Sequence, residues 1–181
     1  MTQVVSTSFH DDIALVCVNN PPVNATSTAL RQGLLDAVSV CENAGARVAI
    51  LYCEGPTFIA GGDMTEFDSP PALPHLPEVV QAIEDSKIPW VAAMHGTVLG
   101  GGFEIAMGCA FRIAKPGTKF GLPEVNVGLI PGAGGTQRAP RLFGWDAAVD
   151  MACSGKLLNA QEALELGALD AVTDDFKSAI A

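Results

Sequence analysis

Apolar residues come in short blocks along this chain, and the blocks switch between two periods. Ile13–Val18 (IALVCV) and Val48–Tyr52 (VAILY) are brief, unbroken and rich in β-branched residues, the pattern of buried strands. Between them Leu30, Leu34, Val38 and Cys41 recur at helical spacing, so Thr26–Ala44 is predicted as a helix with Gly45 as its stop. A short helix follows at Val79–Ser86, a strand at Pro89–His95 and a small-residue helix at Gly101–Cys109. Arg112–Ala114 reads as a short strand, and Gly135–Phe143, Asp146–Cys153 and Ala160–Leu166 read as helices before a last strand at Ala168–Thr173. Strand and helix alternating over short connections predict an α/β fold with largely parallel strands. No repeat or linker divides the chain, so residues 1–181 are expected to form one domain.

The main break in the pattern is Asp68–Pro77, with four prolines in ten residues. Proline removes amide donors and disfavours helix at the residue before it, so this stretch is predicted to be a loop or a lid. Hydrophobic residues make up 49% of the 181 and charged residues 17%, enough apolar surface to offset chain entropy and to exclude disorder of the whole chain.

The net charge of −10 is unevenly spread. Residues 1–100 carry 3 basic and 11 acidic side chains, and residues 101–181 carry 7 and 9. No broad basic footprint exists, which excludes a nucleic-acid partner. Five cysteines, none in a Cys-x-x-Cys pair, suggest neither a disulfide framework nor a zinc site. The N-terminus lacks the basic start and apolar run of a secretory signal. The most apolar stretch, Ile88–Phe111, is broken by His95, Glu104 and several glycines, which argues against a membrane span. A cytoplasmic protein is expected.

Three glycine clusters carry the candidate chemistry: Ala60-Gly-Gly-Asp63, Gly96-Thr-Val-Leu-Gly-Gly-Gly102 and Gly128-Leu-Ile-Pro-Gly-Ala-Gly-Gly135. A glycine turn that opens a helix presents free amides and the positive end of the helix dipole, the parts that stabilise an oxyanion. Neither the dinucleotide spacing nor the P-loop ending is present. Glu104 and Glu124 stand beside such turns in apolar surroundings, where desolvation raises a carboxyl toward the range useful for proton transfer. His95, at the end of an apparent strand, reads as a packed, hydrogen-bonded residue. Trp90 and Trp145 read as core or interface.

The runs Phe58-Ile-Ala-Gly-Gly-Asp63, His95-Gly-Thr-Val-Leu-Gly-Gly-Gly-Phe-Glu104 and Phe120-Gly-Leu-Pro-Glu-Val-Asn-Val-Gly-Leu-Ile-Pro-Gly-Ala-Gly-Gly-Thr-Gln-Arg138 resemble, in order and spacing, the crotonase (enoyl-CoA hydratase/isomerase) family. Asn20-Pro-Pro-Val-Asn-Ala25 is most similar to the hydratase/isomerase part of multifunctional fatty-acid oxidation enzymes. The resemblance implies a spiral of repeated β-β-α turns, and the C-terminal helices that follow this core in the family are expected to be missing. It implies an enoyl-CoA hydratase of fatty-acid β-oxidation, with Δ3-Δ2-enoyl-CoA isomerase as an accompanying activity. Glu104 and Glu124 would be the catalytic pair, the Ala60 and Gly101 amides the oxyanion hole, and Ala25, Gly61, Gly62 and Asp63 substrate-binding positions. No metal and no cofactor are implied, because coenzyme A is part of the acyl-CoA substrate. The implied assembly is a homo-oligomer, a trimer in the family, or fusion to a 3-hydroxyacyl-CoA dehydrogenase. A non-catalytic acyl-CoA-binding module and another CoA-thioester reaction on the same fold stand as alternatives.

Overall fold

A computed structural model describes residues 3–66, 70 and 72–176 of the chain. Its strands are β1 (Val5–His10), β2 (Ile13–Val18), β3 (Val48–Cys53), β4 (Trp90–Met94), β5 (Thr97–Leu99), β6 (Phe111–Ala114), β7 (Lys119–Gly121), β8 (Leu158–Asn159) and β9 (Ala171–Val172). Its α-helices are α1 (Thr28–Asn43), α2 (Leu76–Glu84), α3 (Gly101–Gly108), α4 (Gly135–Phe143), α5 (Trp145–Ser154) and α6 (Ala160–Glu165). Short 3-10 helices cover Met64–Glu66 and Pro123–Val127.

The larger sheet runs β1-β2-β3-β4-β6-β9, parallel from β2 onward, with β1 antiparallel at the edge. A smaller sheet holds β5, β7 and β8, and Ala60 bridges in parallel to Leu99 beside it. The chain therefore repeats one path. It leaves a strand of the large sheet, crosses to the small one, and returns through a helix: β3, Ala60, α2; then β4, β5, α3; then β6, β7, α4. The turn before these follows the same course, since Val23, between β2 and α1, accepts a hydrogen bond from the Ala60 amide at 3.1 Å. This is a spiral of β-β-α turns, and the expected fold class holds.

Local chemistry explains most boundaries. Ser27 caps α1 by accepting from the Leu30 amide, and Leu30, Leu34, Ala37, Val38 and Cys41 form its buried face. α2 begins at Leu76, three residues earlier than expected, because Pro77 falls in the first turn where its missing amide costs nothing. The last strand contracts to Ala171–Val172. Four strands are unforeseen: β1, a six-residue edge strand with one buried position, and β5, β7 and β8, which are two or three residues long and carry no period of their own.

All eight residues of α3 are buried. Glycine makes this possible: a Cβ at Gly102 would stand 2.0 Å from the Ile59 carbonyl oxygen, so α3 and the segment leading to Ala60 are in backbone contact. Trp90 is buried and donates its indole N–H to the Ser86 hydroxyl at 3.2 Å, whereas Trp145 is 69% exposed rather than core. Cys41, Cys53 and Cys109 are buried, and burial pushes the Cys109 thiol up to about 12. No helix among the described residues is long and apolar enough to cross a membrane.

The end of the spiral is pinned by Arg112. It donates to the carbonyls of Ala168 and Cys109 at 3.1 and 2.6 Å and pairs with Asp170 at 3.3 Å, with its own side chain 7% exposed. Arg112→Met keeps the stem but strands two buried carbonyls, and is expected to destabilise by roughly 2–3 kcal/mol. A thermal melt with no drop in Tm would contradict this.

Candidate active site

One cavity of about 980 Å3 opens between the first turns of the spiral, and Ala60, Gly61, Gly62, Asp63, Gly101, Glu104 and Glu124 all line it. Seven of the eight expected site residues are thus brought together from three separate stretches of the chain, around positions 60–63, 101–104 and 124. The eighth, Ala25, does not line the cavity; its neighbour Thr26 does, with its amide donating to Gly61 O at 3.0 Å.

Glu104 projects from the first turn of α3 and is 2% exposed. Its Oε1 accepts two backbone N–H groups, Ala133 and Gly135, each at 2.8 Å, from the turn that opens α4. Burial raises its pKa, against the opposing pull of those two amides and of the Arg138 charge. Glu124 comes from the 3-10 helix Pro123–Val127, started by Pro123. Burial raises its pKa too, opposed by its own backbone N–H and reinforced by the nearby negative charge of Glu104. Its Oε2 is buried without a hydrogen-bond partner among the described residues. The carboxylate sits against Gly100, where a Cβ would stand 2.9 Å from Oε1 and where φ is +51°. Only glycine satisfies both conditions.

Two carboxyls in one cavity therefore differ in environment. Glu104 is held by two donors that favour its ionised form, whereas Glu124 has a bare oxygen beside a second negative charge. Such a difference in environment is what separates the two carboxyls of an acid/base pair where one operates.

The backbone amides require a correction. Ala60 lines the cavity, but its N–H donates to Val23 O at 3.1 Å and is not free to hold a substrate oxygen. In the parallel pairing centred on Ala60 and Leu99, the amides of Leu99 and Gly61 face the partner strand, and Leu99 N–H donates to Ile59 O at 3.1 Å. Gly62 is the next amide along the chain. It and Gly101, at the start of α3, have no hydrogen-bond partner among the described residues. The Ala60 amide that the resemblance implies as a donor is therefore already engaged, because alternation along a paired strand, which the Ala-Gly-Gly-Asp motif does not display, decides which amides are taken up.

Asp63 turns inward on its own loop, accepting from the Thr65 amide at 3.0 Å and hydroxyl at 2.7 Å, and these bonds hold its carboxyl below the usual range. His95 is hydrogen-bonded, as expected, donating through Nε2 to Gly55 O at 3.0 Å.

Of the expected lid, Asp68, Ser69 and Pro71 lie outside the described residues, while Pro70, Ala72, His75, Leu76 and Pro77 line the cavity. This wall is tied down by Arg31, a residue the sequence marks only as part of a helix. Arg31 donates to Pro74 O at 2.6 Å, Ala72 O at 3.0 Å and Thr26 O at 2.7 Å, and pairs with Glu66 at 2.9 Å. Nothing in the local pattern around position 31 announces these partners, which lie up to 43 residues away.

Residues 8–177 match the family described as Enoyl-CoA hydratase/isomerase. The peroxisomal bifunctional enzyme of Danio rerio is 44% identical over 163 residues, covering 90% of this chain and 23% of that protein. A probable enoyl-CoA hydratase of Bacillus subtilis (strain 168) is 40% identical over 171 residues, covering 90% of this chain and 66% of that one. The chain thus spans about a quarter of the first relative's length and about two thirds of the second's. The crystal structure of enoyl-CoA hydratase from Thermoplasma volcanium GSS1 superposes with a TM-score of 0.92 at 33% identity, over 99% of this chain and 75% of that one.

Proposed function

Because this chain belongs to the enoyl-CoA hydratase/isomerase family, we propose that its cavity hydrates trans-2-enoyl-CoA thioesters in fatty-acid β-oxidation. The observation that carries the reading is the pair of dissimilar carboxyls, Glu104 and Glu124, facing one cavity that also holds two amides without a partner among the described residues.

The amides of Gly62 and Gly101 would donate hydrogen bonds to the thioester oxygen held between them, drawing electron density out of the double bond. Glu104, ionised, takes a proton from water as the water oxygen bonds to Cβ. The π electrons move through Cα to the thioester oxygen, where the two amides hold the enolate charge. Glu124 gives a proton to Cα as the enolate collapses, which completes addition of water across the double bond. Each amide donor of such a hole is worth on the order of 10²–10³ in rate. The chemistry asks for no cofactor beyond the coenzyme A that the substrate carries. Isomerisation of a Δ3-enoyl thioester would use the same enolate and the same pair, moving a proton from one carbon to the other.

The test is hydration of crotonyl-CoA, followed as loss of the enone-thioester absorbance. Tight binding of a CoA thioester with no turnover would instead support a non-catalytic binding module. We read residues 1–181 as one domain, supported by the family match over residues 8–177. For assembly we propose a homo-oligomer or a fused dehydrogenase; similarity to relatives named bifunctional, of which this chain covers 23–24%, supports the second. The cytoplasm is the proposed compartment, supported by the Bacillus relative, and relatives named peroxisomal make that organelle the second reading.

A further inference from the structure

We propose that Arg138 is a positioning residue for Glu104, locking the turn whose amides hold that carboxylate and fastening it to α2; this rests on the hydratase reading above. Residue 133 is gripped from both sides. Its N–H donates to Glu104 Oε1 at 2.8 Å, and its carbonyl accepts from Arg138 Nη1 at 3.1 Å. The guanidinium lies against the turn, since a Cβ at Gly134 would stand 2.1 Å from Nη1. The other end of the guanidinium reaches α2, where Nη2 donates to Gln81 at 3.4 Å and pairs with Glu84. The N-terminal residues of that helix, Leu76 and Pro77, wall the cavity. Thus the helix that shapes the substrate chamber and the turn that cradles Glu104 share one side chain.

Two features mark this as more than a surface ion pair. The Arg138 side chain is only 12% exposed, and its Nε is buried with no partner among the described residues. Leaving a buried donor unsatisfied is costly, so the guanidinium is placed by its other contacts rather than by its own solvation. Arg138 also acts on Glu104 through charge. The charged groups bearing on Glu104 are Arg138 from α4 and Glu124 from the 3-10 helix, with Glu84 of α2 partly neutralising Arg138. Arg138 is the group among them that favours an ionised Glu104.

The experiment compares Arg138→Met and Arg138→Lys with wild type by crotonyl-CoA kinetics and by a carbon-13 NMR titration of the Glu104 carboxyl, assigned with Glu104→Gln. Arg138→Met is expected to lower kcat by about tenfold to a hundredfold, the effect of a small misplacement of a reacting group. KM should stay within about twofold, because Arg138 does not line the cavity. The Glu104 titration should move to higher pH. Arg138→Lys keeps the charge but not the fork, so the titration should stay near wild type while kcat recovers only in part. If the methionine variant does not fold, the lysine variant decides, by a lowered kcat at unchanged KM. A folded Arg138→Met with wild-type kcat and an unmoved Glu104 titration overturns the proposal, as does Arg138→Lys with full wild-type kcat. If the wild type itself fails to hydrate crotonyl-CoA, the hydratase reading falls, and the Glu104 titration still decides the role of Arg138.

Discussion

Glu104→Gln is expected to slow crotonyl-CoA hydration by roughly 10²–10⁴, the usual contribution of a positioned acid or base. Glutamine keeps an oxygen that can accept from the Ala133 and Gly135 amides, so the turn survives and only the charge is lost. Glu124→Gln should cost a similar factor through loss of the acid. The pH profile supplies a second readout. The base must be ionised, and burial has raised Glu104, so kcat/KM should fall as pH is lowered through a region above the ordinary glutamate range. Stability runs the other way. A carboxyl whose pKa is raised by folding is held protonated more tightly in the folded state, so its contribution favours folding at low pH and is lost as pH rises through the raised value. Glutamine at 104 should therefore melt no lower than wild type at neutral pH. Full activity in both glutamine variants would defeat the assignment.

Gly102→Ala is expected to be the most damaging single methyl group. Its Cβ would stand 2.0 Å from the Ile59 carbonyl oxygen, a backbone atom that cannot swing aside. α3 and the strand segment beneath it must separate, at a cost of about 3 kcal/mol or more. For a chain of this size that lowers Tm by roughly 6–12 °C. The loss should reach catalysis as well, because Gly101 starts α3 and Gly62 follows Ile59, so the two proposed oxyanion donors move apart. Each donor lost costs about 10²–10³ in rate. Gly132→Ala is the comparison: its Cβ would meet only the Ile130 carbonyl at 3.8 Å, and its Tm should match wild type. Equal melting of the two alanine variants would show that the contact is not tight.

Much of this site was legible because glycine leaves a recognisable trace. The three clusters, their order and the glutamates beside two of them are local features, and all three clusters reach the same cavity. The strands and helices that announce themselves by period, such as β2, β3 and α1, also stand where the pattern puts them. What escaped was non-local. β5 and β7 are three residues each, held by neighbours rather than by their own composition. Arg31 and Arg138 look like ordinary helix positions, yet each binds groups more than 30 residues away.

The amides show the same division most clearly. Sequence alone marks Ala60-Gly-Gly-Asp63 as a backbone-exposing loop, because glycine removes the side chains that would shield the amides. Which amide is left open depends on pairing. Ala60 faces Val23 and gives up its N–H to it, so Gly62 and Gly101 remain. The residues that could do the chemistry were written in the chain; the proposed donors, base and acid rest on hydrogen bonds from distant segments, which satisfy some groups and leave others without a partner among the described residues.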